Sequence, residues 1–165
     1  MLSIVTPVLN GKKFLQNTIE SVRDLNIPHE HIVVDGGSTD GTIDLVKKYK
    51  NIRLLHQKNE SGMYAAIHQG FLASKGEYIT WINADDIVIK KGYQAMYKYI
   101  RDSKKDLVYS DTIYHYIEIY KYKKMYARHI SRYLLKEGVM PFAQPSSIYT
   151  RSAYDKIGGL DYKRF

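Results

Sequence analysis

The sequence predicts an α/β fold with a mainly parallel central sheet, and three observations carry that expectation. Short apolar runs alternate with segments of helical periodicity through the first hundred residues. Successive runs are separated by enough chain for a crossover helix, which favours parallel strands joined by right-handed crossovers. Two of the runs end in carboxylates, Asp35 and the Asp85–Asp86 pair. Carboxylates at strand ends suit the crevice where open α/β sheets bind ligands.

The elements follow in order. Ile4 and Val5 open a strand that Pro7 is expected to close, because proline cannot donate to a central ladder. Phe14, Leu15, Ile19, Val22 and Leu25 recur at helical spacing. His31-Ile32-Val33-Val34 is a buried-type strand ending at Asp35, and Ile43, Leu45, Val46 and Tyr49 mark a second helix. A strand over 52–56, a helix over 63–74, a strand over 78–82 and a helix over 90–103 complete the series, the last with Tyr93, Met96, Tyr97 and Ile100 inward. Beyond residue 107 the pattern changes. Strands are expected over 107–111 and 146–150, a small β-ribbon over 113–122, and helices over 129–137 and 151–157, the last stopped by Gly158-Gly159.

A chain of 165 residues is expected to form one domain with a sizeable core. Without cysteine it has no disulfide or thiolate metal site, which fits a reducing cytoplasm. No signal peptide is expected, since Met1-Leu2-Ser3 runs directly into a strand pattern. No stretch approaches the roughly 20 apolar residues of a membrane span, so a soluble chain is expected.

The net charge of +8 is unevenly spread. Lys121, Lys123, Lys124, Arg128, Arg132 and Lys136 fall within 120–136 with no acid among them, interleaved with Tyr120, Tyr122, Tyr126 and Tyr133. Such a segment is either a solvated face or a surface for polyanions: a phosphate-bearing acceptor, an anionic membrane or nucleic acid. No RNP-like or zinc-finger pattern accompanies it, and no nucleic-acid partner is expected.

The chemistry concentrates in two motifs. In Val33-Val34-Asp35-Gly36-Gly37-Ser38-Thr39-Asp40-Gly41-Thr42, glycines allow close approach and Asp35 can accept hydrogen bonds from a nucleobase imide or ribose hydroxyls. Ser38, Thr39 or Asp40 can cap the following helix, and for Ser38–Thr42 that turn-and-cap reading is the plainer one. Asn83-Ala84-Asp85-Asp86 follows a strand containing Trp81 and Ile82. One or two carboxylates there can hold a hard divalent cation whose shell is completed by substrate phosphates, Mg²⁺ or Mn²⁺. An Asx turn into the next helix is the alternative. Adjacent carboxylates repel, which favours a cation or donors nearby.

These residues, with Ile4-Val5-Thr6-Pro7-Val8-Leu9-Asn10, resemble the family 2 glycosyltransferases, enzymes of the Rossmann-like GT-A fold. The resemblance continues through Glu60–Ile67 with Gly70-Phe71, 73–78, Gln144-Pro145-Ser146-Ser147 and Gly158-Gly159-Leu160-Asp161. It implies transfer of a sugar from a nucleotide-diphosphate sugar, typically a UDP-sugar, to an acceptor hydroxyl with inversion. Thr6 and Pro7 would line the base pocket with Asn10 nearby, and Ser38 would be a further substrate-binding residue. Asp35 would bond the nucleobase, Asp85 would be the metal ligand bridging to the diphosphate, and Asp86 would support it or hold the ribose or sugar. Asn83 replaces the first acid of the family's Asp-x-Asp motif, and His68 stands where many relatives have asparagine. Residues 1–106 would form the nucleotide-sugar half and 107–165 an incomplete acceptor half. The family's catalytic base normally follows the Gly-Gly-x-Asp stretch, so it is expected beyond Phe165, in a longer enzyme. A glycan or lipid-linked acceptor, a cytoplasmic location and peripheral contact with the anionic inner face of the membrane are further implications. Two other classes stay open: a non-catalytic nucleotide-sugar-binding module, and a different α/β nucleotide enzyme. The second lacks support from any Gly-x-Gly-x-x-Gly or Gly-Lys-Ser/Thr loop.

Overall fold

The computed structural model describes residues 1–58, 62–116, 119–127, 131–137, 139–140 and 142–161. Glu60 and Ser61 of the family motif, Arg128 of the basic segment, and parts of the expected ribbon and of the 129–137 helix lie outside the described residues.

Four parallel strands position the site. β1 (Leu2–Val8), β2 (His29–Asp35), β3 (Ile52–His56) and β4 (Tyr78–Trp81) are neighbours in the order β3-β2-β1-β4. Between them run α1 (Lys12–Arg23), α2 (Thr42–Val46) and α3 (Met63–Ala73), the crossovers that the spacing of apolar residues predicts. α4 (Lys90–Ser103) leads to β5 (Leu107–Tyr109), and β6 (Thr112–Tyr116) pairs antiparallel with β7 (Lys121–Met125) as a separate ribbon. α5 (Ser131–Lys136), a 3₁₀ turn at Gln144–Ser146, β8 (Ser147–Thr150) and α6 (Arg151–Lys156) follow. β8 inserts antiparallel between β4 and β5, so the six-stranded sheet reads β3-β2-β1-β4-β8-β5.

Side chains alternate across the sheet and build two covered faces. On one, Leu2, Ile4, Tyr78, Val108 and Ile148 meet Val22 and Leu25 near α1 and Tyr93, Met96, Tyr97 and Ile100 of α4. Val8 and Val33 on the same face meet Leu15, Ile19, Leu45 and Val46. On the other, Val5, Ile32, Val34 and Ile79 pack against Ala66, Ile67 and Phe71 of α3 and Tyr154 of α6. α3 lies so close to β1 that a Cβ at Gly70 would stand 2.4 Å from Val5 Cγ1. Glycine is therefore required there by space rather than by dihedral freedom.

One expectation is corrected. Pro7 does not close β1, which runs through it to Val8, with Pro7 opposite Val34 and Val8 opposite Asp35. The physical reason is the short reach of β4. Ile82 donates its N–H to the Val5 carbonyl, and β4 pairs with β1 only as far as Val5. Pro7 is two residues on, so its missing N–H points to the same side, past the end of β4, and no ladder bond is lost.

His31 lies in the sheet interior, 4% exposed, sharing a 2.9 Å hydrogen bond with the Thr6 hydroxyl. Burial, with the charge of His29 adding to it, pushes its imidazole down to about 3 from 6.5. The folded protein keeps His31 neutral while the unfolded chain protonates it below about 6.5, so this contribution is full at neutral pH and falls as acid approaches 3. Between pH 7.5 and 5 the protein is expected to lose about 2 kcal/mol more stability than a His31→Gln variant. Urea unfolding at the two pH values measures this, and parallel losses would exclude His31 as the titrating group.

Candidate functional site

The carboxyl edges of β1, β2 and β4 bring the two acid motifs to one rim of the sheet. β1 leads to β2 on one side, while the chain returns through β3 and α3 to place β4 on the other. The β1–β4 boundary is therefore the topological switch point, where the loops leaving adjacent strands diverge and open a crevice.

On the β2 side, Asp35 ends its strand opposite Val8 with its side chain fully enclosed. Its Oδ2 accepts the N–H of Gly37 at 2.9 Å and of Ser38 at 3.1 Å, with Ser38 also 3.3 Å from Oδ1. His56 at the end of β3 places Nδ1 3.9 Å from Oδ2. Gly37 has φ +102°, a conformation that glycine adopts without strain and that lets two successive amides turn onto one carboxylate.

The β1 loop is stitched to the same turn. Asn10, at φ +52°, donates its N–H to Ser38 Oγ at 2.8 Å, and its Oδ1 accepts the Thr39 N–H at 2.9 Å. Gly11 N–H donates to Thr42 Oγ1 and Lys12 N–H to Asp40 Oδ2, both at 3.0 Å. Asp40 Oδ1 in turn accepts the Thr42 N–H and hydroxyl. The turn expected of this stretch is therefore present, but the expected cap is not: α2 has Gly41 at its N-cap position with no side-chain cap, and Ser38 bonds the β1 loop instead. Thr6 and Pro7 are both buried, and the Thr6 hydroxyl is taken by His31. Leu9 and Asn10, which follow them, are exposed.

On the β4 side, α1 holds the loop 83–88 from below. Thr18 donates its hydroxyl to the Ala84 carbonyl at 2.8 Å, and Ser21 Oγ accepts the Val88 N–H at 3.0 Å. Sequence reasoning singles out neither; their three-residue spacing on the buried side of α1 is the one signal that could have found them. A Cβ on Gly11 would meet Val8 Cγ2 at 2.5 Å and Ala84 Cβ at 3.4 Å, so the β1 turn closes on this loop.

Asp85 is exposed and Asp86 half-buried. Asn83 Nδ2 donates to Asp86 Oδ2 at 3.0 Å, and the Asp86 N–H donates back to the Asn83 carbonyl at 3.1 Å. Partial burial holds the Asp86 carboxyl above the usual carboxylate range, and repulsion by Asp85 adds to this, against the Asn83 hydrogen bonds. Asn83 Oδ1 is buried without a hydrogen-bond partner among the described residues. An unsatisfied amide oxygen beside two repelling carboxylates fits a hard divalent cation, which takes oxygen donors. Among the described residues no group of three or more His, Asp or Glu side chains is placed so as to hold a metal ion.

His68 on α3 is tied to the far end of the chain. Its Nδ1 shares a 2.6 Å hydrogen bond with the Tyr154 hydroxyl, which also accepts the Leu160 N–H at 3.4 Å. This pins the Gly158–Leu160 turn against α3, a structural role that pairwise spacing in the sequence does not reveal.

Among the described residues no helix is long and apolar enough to cross a membrane. Residues 3–158 match the family model described as Glycosyl transferase family 2. Glycosyltransferase GlyG of Streptococcus pneumoniae is 32% identical over 113 residues, 66% of this chain and 38% of that protein. The putative teichuronic acid biosynthesis glycosyltransferase TuaG of Bacillus subtilis is 32% identical over 91 residues, 52% of this chain and 36% of its own length. The chain therefore spans well under half of these relatives. Among solved structures, S. aureus TarS 1-349 superposes with a TM-score of 0.77 at 19% identity, over 95% of this chain and 49% of that one. A mannosyltransferase from Pyrobaculum calidifontis, solved with GDP-Man and Mn²⁺, superposes at 0.71 and 16% identity, over 96% and 46%. The parallel sheet, its carboxylate-bearing edge and the match over residues 3–158 agree: the chain belongs to glycosyltransferase family 2, with the GT-A fold.

Proposed function

We propose that this chain binds the donor in an enzyme that transfers a sugar from a nucleotide-diphosphate sugar, a UDP-sugar, to a glycan acceptor hydroxyl, with a divalent cation and with inversion. The observation that carries the reading is the placement of Asp35 and Asp85–Asp86 on opposite sides of the β1 edge at the switch point. Solved relatives support it by what they hold: UDP-GlcNAc in TarS, and UDP with Mn²⁺ in a glucosyl-3-phosphoglycerate synthase from Mycobacterium tuberculosis.

In this reading Asp35 accepts the imide N–H of the base, with Asn10 and Ser38 shaping the pocket wall and Thr6 and Pro7 backing it. The Asp35 side chain is enclosed, so base entry requires the groups over it to part. Asp86 receives ribose or sugar hydroxyls, and Asp85, with Asn83 Oδ1 beside it, holds Mn²⁺ or Mg²⁺. The cation supplies Lewis-acid stabilisation of charge on the departing diphosphate. Inversion requires a base for the acceptor hydroxyl, and no described residue is assigned that role. Residues 1–106 serve the donor, and 107–165 begin the acceptor side.

The test is thermal unfolding with UDP, GDP, CDP and dTDP, each with Mn²⁺ or with EDTA. A Mn²⁺-dependent rise with UDP is expected, larger than with the other three. A rise with none of them would remove the donor-site reading, and a larger rise with GDP would reassign the base.

A further inference from the structure

The β6–β7 ribbon has two faces of different character, and the register defines them. Opposed residues in an antiparallel pair project to the same side. One face carries Ile113 opposite Lys124 and His115 opposite Tyr122. On that face the His115 and Tyr122 rings stack with centroids 4.3 Å apart, though Tyr122 stays 69% exposed, and the one lysine, Lys124, is paired with Asp111 at 2.9 Å and lies 4.6 Å over the Tyr126 ring. The other face carries Tyr114 opposite Lys123 and Tyr116 opposite Lys121. Tyr114 and Tyr116 are 43% and 47% exposed. Lys121 and Lys123 are exposed and have no ion-pair partner among the described residues.

This second face is a repeating aromatic–cation pattern. Successive residues on one face of a strand lie about 7 Å apart, and cross-strand partners about 5 Å. Two rings along β6 thus lie beside two ammonium groups along β7, each ring opposite one cation, and the described residues of the two strands include no acid. A flat ring accepts the C–H face of a sugar, as it accepts other partners bearing partial positive charge. An ammonium group is a point charge suited to phosphate.

We propose that the Tyr114–Tyr116–Lys121–Lys123 face binds a phosphodiester-bearing glycan, sugar rings on the tyrosines and phosphates on the lysines. The inference rests on the glycosyltransferase reading, since it names the acceptor class. A purely anionic partner would need no open tyrosines, and a neutral sugar no unpaired lysines. An anionic lipid surface is the competing occupant and becomes an outcome of the test.

The experiment measures binding of the chain to phosphorylated dextran, neutral dextran, inorganic polyphosphate and vesicles containing phosphatidylglycerol, at fixed ionic strength. Phosphorylated dextran is expected to bind at least tenfold tighter than neutral dextran or polyphosphate of equal phosphate content. A Tyr114→Ala/Tyr116→Ala variant and a Lys121→Gln/Lys123→Gln variant should each weaken it about tenfold or more. His115→Ala, on the opposite face, should leave it unchanged. Equal binding to polyphosphate, binding to vesicles alone, or no binding would each overturn the proposal. UDP binding with Mn²⁺ is measured on the same preparations: UDP without polymer binding fails the ribbon alone, while loss of UDP binding by the unaltered chain fails the donor reading. Preserved UDP binding in both double variants shows that they fold.

Discussion

Replacing Asp85 by alanine is expected to abolish the Mn²⁺-dependent part of UDP stabilisation while leaving the unliganded fold intact. Asp85 is exposed and makes no hydrogen bond with the described residues, so its removal costs the fold little. A ligand at a hundred times its dissociation constant stabilises the folded state by about 2.7 kcal/mol. For a domain of this size that corresponds to a rise of roughly 5–10 °C in Tm. The variant should retain less than a quarter of this rise, and the rise in EDTA should be the same for both proteins. A full Mn²⁺-dependent rise in Asp85→Ala would exclude Asp85 as a metal ligand. Asp86→Ala provides a contrast, because it also strips Asn83 Nδ2 of its acceptor and so lowers Tm before any ligand is added.

Arg151→Ala is expected to cost about 2–4 kcal/mol, a large loss for a single polar side chain. The guanidinium donates through three nitrogens: Nε to the Gly76 carbonyl at 2.7 Å, Nη1 to the Phe71 carbonyl at 3.1 Å and Nη2 to Ser74 Oγ at 2.6 Å. It therefore caps the carboxyl end of α3, where a positive charge also complements the helix dipole. Its backbone N–H holds the Glu77 carbonyl, fastening the start of α6 to the turn before β4. Urea unfolding should show a lower midpoint with an unchanged slope. Arg151→Lys should recover less than half of the loss, since a single ammonium cannot span three divergent acceptors. A loss below about 0.5 kcal/mol, ordinary for a surface substitution, would show that water replaces these bonds freely.

The parallel half of the fold was legible because each strand there contains a short apolar run and is followed by a helix. Asp35 and Asp85–Asp86 were legible as site candidates for the same reason: they sit where such runs stop. Pro7 misled, because a rule about central strands depends on how far the neighbour extends, and the end of β4 is a tertiary fact. The uses of Thr6 and Ser38 were hidden similarly. Each carries a hydroxyl that a ligand could use, and each spends it on a partner distant in sequence, Thr6 on His31 and Ser38 on the Asn10 N–H. Thr18 and Ser21 bond to a backbone carbonyl and amide, which only their spacing on α1 could suggest, and the acceptors of Arg151 lie more than 70 residues away in sequence. The ribbon's alternation could be read in the sequence, but which lysine is paired and which residues oppose one another require the register.

The insertion of β8 between β4 and β5 has a consequence for biogenesis. A chain emerging from the ribosome can assemble β1 to β4 early, yet the outer edge of β4 stays bare until residues 147–150 are free. β5 is made long before it can be seated, because its only sheet partner among the described residues is β8. A bare apolar edge is a template for pairing with other chains. The nascent protein therefore carries its greatest exposure to aggregation in that interval, and whatever hastens the arrival of β8 protects the rest.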